Sequence, residues 1–596
     1  MVGRFLLGVA AASLLSTFTA AYPAGISKRE QPDVPETPKV NLRQLEWGDI
    51  NFIHTTDIHG WLEGHLLQES YTGDLGDFYS FVVRMKEKSR RLKKDLFIVD
   101  TGDTHDGNGL SDTTNPHGAV TQPMLLHIPY DILAIGNHEL YVNSVTQDVY
   151  ENYMPHWNGR YLASNVYIKD VNNDNKTIPI GSKYTYFEGE FGTRVLAFGF
   201  LFDFTGNGDL SVVNKVEKEI REPWFKEALT SHKPDVIALI GHTGLRFNEF
   251  KAAIAAIRQY YPYLPIAVLG GHTHIRDFAV YDAWAAGIES GRYMETIGFY
   301  SIDGIKESTE FINEHGYNST ELPGNLTFHR RYLDQNRDTY IFHSDKSAKS
   351  FDTKLGLEIT KNITSWRRKL GIEEALGCAP QDYYLSAVPQ TSNSSIFTLL
   401  TQEVLPKTIV NKDRPYPPYI IMNSGGVRYD IYQGNFTVDT VYQVSPFVDE
   451  FLYIAGVPYE AASQLLSKIN NDPNSVAKRA LLESLTCEKV DRLVRHKSPL
   501  TPGYVTKDDL GTDGDDTKHD PIPYYEATTY VATELPKNTS SPVDLVVIDF
   551  VSSYVLSTLN EITGKNYTLE PELYTNLTSS SMWLEFAPKY WKQNCQ

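Results

Sequence analysis

The run Ile132-Leu133-Ala134-Ile135-Gly136-Asn137-His138-Glu139 places a short apolar stretch directly before a glycine and a group of metal-type ligands. The same arrangement recurs along the chain in a fixed order. Asn51-Phe52-Ile53 precedes Asp57-Ile58-His59, and Leu96-Phe97-Ile98-Val99 precedes Gly102-Asp103. Val236-Ile237-Ala238-Leu239-Ile240 leads into Gly241-His242, and Ile266-Ala267-Val268-Leu269 into Gly271-His272-Thr273-His274. Runs of this length, β-rich and bounded by turn residues, read as buried strands. Each ligand then stands just past the carboxyl end of a strand, where open α/β sheets build their crevices. Gly102, Gly136, Gly241, Gly270 and Gly271 are expected to let the backbone turn sharply there. A single His or Asp at a strand end is more often a turn former or a satisfied core residue, so the ordered set carries the reading.

The donors are imidazole, amide and carboxylate, with no thiolate. Such a set suits two adjacent divalent ions that share one carboxylate, with Zn, Mn or Fe as the candidate metals.

The order D-x-H, GD, GNHE, GH, GHTH resembles that of calcineurin-like metallophosphoesterases, and specifically the 5'-nucleotidases among them. The resemblance implies an α/β fold: a four-layer α/β/β/α metallophosphoesterase domain followed by an α+β 5'-nucleotidase C-terminal domain. It also implies that Asp57, His59 and His274 hold one metal, that Asn137, His242 and His272 hold the other, and that Asp103 bridges them. His138 would be the catalytic imidazole that is not a ligand. The implied reaction is release of phosphate from a nucleoside 5'-monophosphate, AMP-like, by attack of metal-bound hydroxide. One departure touches His138. The family usually reads GNHEFD, its last Asp pairing with the catalytic His, whereas this chain reads Gly136-Asn137-His138-Glu139-Leu140-Tyr141. A phenol can hydrogen-bond an imidazole but lacks the charge that raises its pKa, so a weaker dyad is expected unless another carboxylate is reached in the fold.

At 596 residues the chain has room for more than one core. Asp and Glu outnumber Lys and Arg by 74 to 55, and no basic run appears, which argues against a nucleic-acid polymer as partner and leaves a small nucleotide or phosphate ester. Residues 1–21 read as a signal peptide, with a basic start, an apolar stretch from Phe5 to Leu15 and small residues Thr19-Ala20-Ala21. Residues 22–47 read as a linker or propeptide, with Lys28-Arg29 a candidate processing site and a Pro-rich stretch from Gln31 to Lys39. Asn175, Asn318, Asn325, Asn362, Asn393, Asn435, Asn538, Asn566 and Asn576 head N-x-S/T triplets. These features lead us to expect the secretory pathway, with an extracellular, cell-wall or vacuolar destination, and no integral membrane segment in the mature chain. Of Cys378, Cys487 and Cys595, any two could pair in an oxidising compartment.

Residues 48–345 form the expected dimetal domain, 346–371 a linking helix ending near Gly371, and 372–596 the substrate domain. In the latter, the strand-like Tyr419-Ile420-Ile421-Met422 runs into Asn423-Ser424-Gly425-Gly426-Val427-Arg428. Arg428 offers a planar fork suited to phosphate, carboxylate or sugar hydroxyls. This loop, followed by Pro446-Phe447, resembles the substrate domain of 5'-nucleotidases, which clamps a base between two rings. The resemblance puts Phe447 at one ring and Asp449 where Asn is usual. Asp509-Leu510-Gly511-Thr512-Asp513-Gly514-Asp515 stands in place of F-x-x-x-G-G-D, keeping an acid at Asp515 and setting Asp509 where the second ring belongs. Tyr504, Tyr524 or Tyr525 could supply a replacement face. Three functions compete: a nucleotidase-type phosphomonoesterase; a phosphodiesterase or pyrophosphatase acting on nucleotides or other phosphate esters; and a catalytically weak nucleotide-binding protein.

Overall fold

The computed structural model describes residues 31–32, 34–170, 176–317, 323–472, 506–518, 523–537, 541–593 and 595. The signal-like segment, Lys28-Arg29, Cys487, Tyr504, Asn175, Asn318 and Asn538 lie outside them.

Two sheets form the heart of the first domain. One has six strands in the order Thr327–Asp334, Thr296–Asp303, Ile50–Thr55, Asp95–Asp100, Ile132–Ala134, Tyr161–Leu162. The other has seven, among them the adjacent parallel strands Arg194–Leu201, Val236–His242 and Ile266–Gly270. The period of two along each strand divides its residues between two faces. Ile50, Phe52, Phe97, Val99, Ile132 and Ala134 turn inward and pack with Val236, Ala238, Ile240, Ala267 and Leu269 of the facing sheet. Their neighbours Ile53, Leu96, Ile98 and Leu133 turn outward onto Phe78, Phe81, Val82 and Met85 of helix Leu75–Leu92. On the far side, Ile237, Leu239, Ile266 and Val268 meet Phe250, Ala253 and Ile257 of helix Asn248–Arg258. Helix, sheet, sheet and helix therefore stack as four layers, because both faces of each sheet are apolar and need cover.

Helix Lys354–Leu370 ends where Gly371 takes a left-handed conformation, and it lies against helix Leu75–Leu92. Gln31 is not part of a loose linker. It is wholly buried, and its Nε2 donates to Asp74 Oδ2 at 2.9 Å and to the Thr360 carbonyl at 3.0 Å.

The second domain is built on a four-stranded sheet, Phe451–Val457, Val543–Ile548, Pro418–Asn423, Tyr530–Ala532, flanked by helices Tyr459–Asn471 and Asp549–Thr563, while helix Ser581–Tyr590 packs on strand Ala375–Ala379. A disulfide joins Cys378 to Cys595, tying strand Ala375–Ala379 to the end of the chain.

The stretch around Thr506–Asp508 leaves this domain and pairs in parallel with Arg276–Asp282 at the edge of the first domain's seven-stranded sheet. Buried Arg330 binds Asp508 at 2.7 Å, Arg246 binds Asp509 at 3.0 Å, and Arg276 binds Asp515 at 3.0 Å. Gly514 and Asp516 extend the contact through backbone bonds to Tyr332. The Asp509–Asp515 string therefore lies on the first domain rather than within the second. An exposed sheet edge and a row of arginines capture it, and Asp515 is an interdomain ion-pair partner of Arg276.

Candidate active site

The expected donors converge. Ligand atoms of Asp57, His59, Asp103 and His274 lie within 4.8 Å of one another, as do those of Asp103, His242 and His272, so Asp103 belongs to both groups. The glycines do not act as the sequence suggests. Of those expected to turn, Gly102 alone has a positive φ, at 93°, whereas the ligands themselves carry the left-handed conformations: Asp57 at 52°, His59 at 49°, Asp103 at 58°, His272 at 82° and His274 at 62°. Strain of this kind persists where surrounding bonds over-determine it, and it aims the side chains into one crevice. Gly136 is needed for space instead, since a Cβ there would lie 2.2 Å from Asp103 Oδ1.

Several donors are oriented by partners on their far side. His59 Nδ1 donates to the carbonyls of His105 and Asp106, both at 2.9 Å, and His242 Nδ1 to that of Thr101 at 2.8 Å, which leaves both Nε2 atoms facing the cluster. Asp57 Oδ2 accepts from Thr56 Oγ1 at 2.6 Å and from the His272 backbone N–H at 3.0 Å. Asp103 Oδ1 accepts from the backbone N–H of His138 at 2.9 Å, and Glu139 binds the backbone of Gly136, Asp103 and Thr104. Asn137 joins the group through its amide: Nδ2 donates to Tyr141 Oη at 3.3 Å, while Oδ1 is buried and accepts no hydrogen bond. Asp57 Oδ1 is likewise buried and is faced by imidazole nitrogens, His274 Nε2 at 3.1 Å and His242 Nε2 at 3.8 Å. A buried amide oxygen that accepts nothing, together with carboxylate oxygens and imidazole nitrogens turned toward one another, is a donor set that a divalent cation satisfies, so the residues present fit a metal centre.

The electrostatics of three of the four imidazole donors agree. Burial holds the His59 imidazole well below its usual range, His272 down to about 3 and His274 down to about 4, so these rings are neutral donors. Burial also opposes charge on His242, but Asp103 and Asp57 overcome it and raise that ring to about 10. Burial pushes the Asp103 carboxyl up, and its neighbours, His242 foremost, outweigh it, so the carboxylate stays ionised.

His138 stands beside this cluster with Nε2 3.9 Å from Asp103 Oδ2. Its Nδ1 lies 2.9 Å from Asp106 Oδ2, so the imidazole does have a carboxylate partner, a residue that the sequence reading did not single out. Tyr141 lies edge-on to the His138 ring at 5.0 Å, and its Oη accepts from the Asn137 amide rather than bonding the imidazole. The signal for Asp106 is its spacing of three residues from Asp103 within the same strand-end loop.

The second domain closes the site from the other side. The ring of Phe447 lies 6.2 Å from that of His138 at 27°, and the Arg428 guanidinium is 5.7 Å from the Phe447 centroid. Arg428 is near enough to depress His59 and His274, and its buried Nε has no hydrogen-bond partner. Asp449 is turned toward its own domain, with Oδ2 accepting from Ser579 Oγ at 3.3 Å. Ser579, missed from sequence, also binds the Phe447 carbonyl at 2.6 Å and so fixes the loop that carries the ring. Tyr524 and Tyr525 are each 41% exposed.

Comparison with known proteins follows the same division. Residues 50–276 match the calcineurin-like phosphoesterase family, and residues 382–556 match the C-terminal domain of NAD nucleotidase. The chain is 41% identical over 546 residues to an uncharacterized protein of Schizosaccharomyces pombe, covering 89% of this chain and 88% of the relative. It is 38% identical over 631 residues to a protein of Arthroderma benhamiae named as a secreted protein, covering 95% and 94% respectively. A solved 5'-nucleotidase from Candida albicans is 35% identical, with 92% of this chain and all of that chain covered and a TM-score of 0.82. The fold alone is shared with a 5'-nucleotidase precursor from Thermus thermophilus, 13% identical, with 92% and 97% covered and a TM-score of 0.57. With its metallophosphoesterase-type site and this kinship across nearly its whole length, the chain is a phosphoric ester hydrolase that belongs to the calcineurin-like metallophosphoesterase and 5'-nucleotidase family.

Proposed function

We propose that this hydrolase releases phosphate from nucleoside 5'-monophosphates, AMP-like, between its two domains. The observation that carries the reading is the meeting of Arg428 and Phe447 from the second domain with His138 and the ligand cluster of the first. Asp57, His59 and His274 would hold one divalent ion, and Asn137, His242 and His272 the other, with Asp103 common to both. Zn, Mn and Fe all suit this mixed nitrogen and oxygen set. When bound, the ions supply Lewis acidity to the phosphoryl oxygens and lower the pKa of a coordinated water.

The chain's own groups do the rest. Arg428 presents paired N–H donors to the phosphoryl oxygens, a charge-assisted match that orients the ester. His138, with Nε2 toward the cluster, donates to the oxygen on which charge accumulates as the ester bond breaks. Phe447 offers a face on which a base can stack. A second reading, cleavage of a nucleotide diester or another phosphate ester, is favoured by one observation: Asp509 is engaged with Arg246, so no second ring faces Phe447 from that string.

A secretory-pathway destination is part of the proposal. It is supported by the cystine between Cys378 and Cys595, by the exposure of Asn325, Asn362, Asn393, Asn435, Asn566 and Asn576, and by the name of the Arthroderma relative. Among the described residues, no helix is long and apolar enough to cross a membrane. The deciding experiment is a panel of nucleoside monophosphates, a dinucleotide, a diester and a generic phosphate ester, assayed with Zn, Mn or chelator. A preference for AMP over the generic ester supports the nucleotidase reading. Equal rates on all monoesters, or a preference for the diester, would refute it.

A further inference from the structure

We propose that Asp106 is the positioning residue of this active site: its carboxylate, shared between His138 and His117, holds the catalytic imidazole with Nε2 toward the reacting ester. This rests on the role given to His138 above. The bonds are direct. His138 Nδ1 is 2.9 Å from Asp106 Oδ2, and His117 Nδ1 is 2.6 Å from Asp106 Oδ1. Fixing Nδ1 as the donor selects the tautomer and leaves Nε2 on the side of Asp103.

The ring is otherwise confined but not locked. His59 stands edge-on to it at 4.7 Å, Tyr141 edge-on at 5.0 Å, and Phe447 nearly parallel at 6.2 Å. These walls restrict tilt, and the bond to Asp106 sets rotation within the plane. Asp106 is itself placed by its backbone. It has φ of 68°, its carbonyl accepts from His59, and its N–H donates to Asp112 Oδ1 at 3.0 Å.

Asp106, Asp112 and His117 also have the composition of a third metal site. Their hydrogen bonds argue otherwise. Asp112 Oδ2 accepts from the N–H groups of Gly107 and Asn108 at 2.7 and 3.1 Å, so with the bond from Asp106 both its oxygens serve the loop. Both oxygens of Asp106 serve imidazoles. The cluster is a clamp that fixes a loop and, through it, one ring.

The test is a mutant cycle on the metal-loaded enzyme with Asp106→Asn, His138→Ala and the double variant. Asn tolerates positive φ and preserves the side chain's shape. Asp106→Asn is expected to lower kcat for AMP by about 10- to 100-fold, with KM and metal content little changed. The loss should be much smaller for 4-nitrophenyl phosphate, whose leaving group needs little protonation, and should vanish in the His138→Ala background. An undiminished kcat in Asp106→Asn beside an impaired His138→Ala overturns the proposal. So does an equal loss with both leaving groups or a full further loss in the double variant, either of which marks a merely structural residue. An undiminished kcat in His138→Ala would instead remove the role of His138, and the proposal with it, so the two failures are told apart.

Discussion

The loops of the first domain that carry metal-type donors and the loops of the second domain that carry substrate-type residues face the same cleft, yet they are positioned by different means. Every donor in the first domain lies in a strand or within four residues of its end: His242 is the last residue of Val236–His242, and His274 is four past Ile266–Gly270. The sheet fixes these positions, so motif and spacing suffice to find them. In the second domain Arg428 and Phe447 depend on how separate loops are clasped, as by the bond from the Arg428 backbone to Val444 and by Ser579. The string from Asp509 to Asp515 has the composition of a substrate loop but docks on the other domain, where Arg246, Arg276 and Arg330 await it. Short-range pattern is a sound guide where a sheet sets position and a poor one where a long connection does.

The largest effect should come from the sheet-fixed side. Asp103→Ala removes the donor common to both groups, so phosphate release should fall on the order of 10³-fold or more, and chelation of the wild type should do the same. Activity surviving both treatments would break the comparison at its root. Next is Asp508→Ala, which strips a partner from buried Arg330; because Asp513 still reaches that arginine, urea denaturation should show a loss of roughly 3 kcal/mol, with kcat of the folded enzyme unchanged. A lower kcat at full stability would mean that the docked string does serve substrate. Phe447→Ala should raise KM for AMP about tenfold, since stacking a base is worth roughly 1–3 kcal/mol, while a generic phosphate ester is unaffected. A matching rise for the generic ester would assign the ring to shielding rather than to base binding. Smallest of all, Asp515→Asn should leave KM for AMP unaltered and cost about 1 kcal/mol of stability, readable as a small shift in the denaturation midpoint.

The metal-type donors illustrate both the reach and the limit of local pattern. Their identity and order stand in the sequence, and the strands expected before them are present. Which residues would bend was misread: the left-handed conformations fall on Asp57, His59, Asp103, His272 and His274 rather than on most of the glycines. Glycine composition signals room as readily as it signals a turn, and Gly136 supplies room.

Position 141 carries the same lesson to the catalytic imidazole. The sequence shows that a carboxylate is absent there, because that is a matter of one residue's identity. It does not show that Asp106, 32 residues earlier, swings onto His138, because that contact exists only once two strand-end loops lie side by side. The sequence by itself determined the donor set, the strand-end placement and the reaction class, since each follows from residue type and a repeating local period. The tertiary structure alone decided the partner of His138, the pairing of Cys378 with Cys595 and the destination of Asp515. Those are contacts between distant segments, and packing of the sheets and the charge on their exposed edge select them.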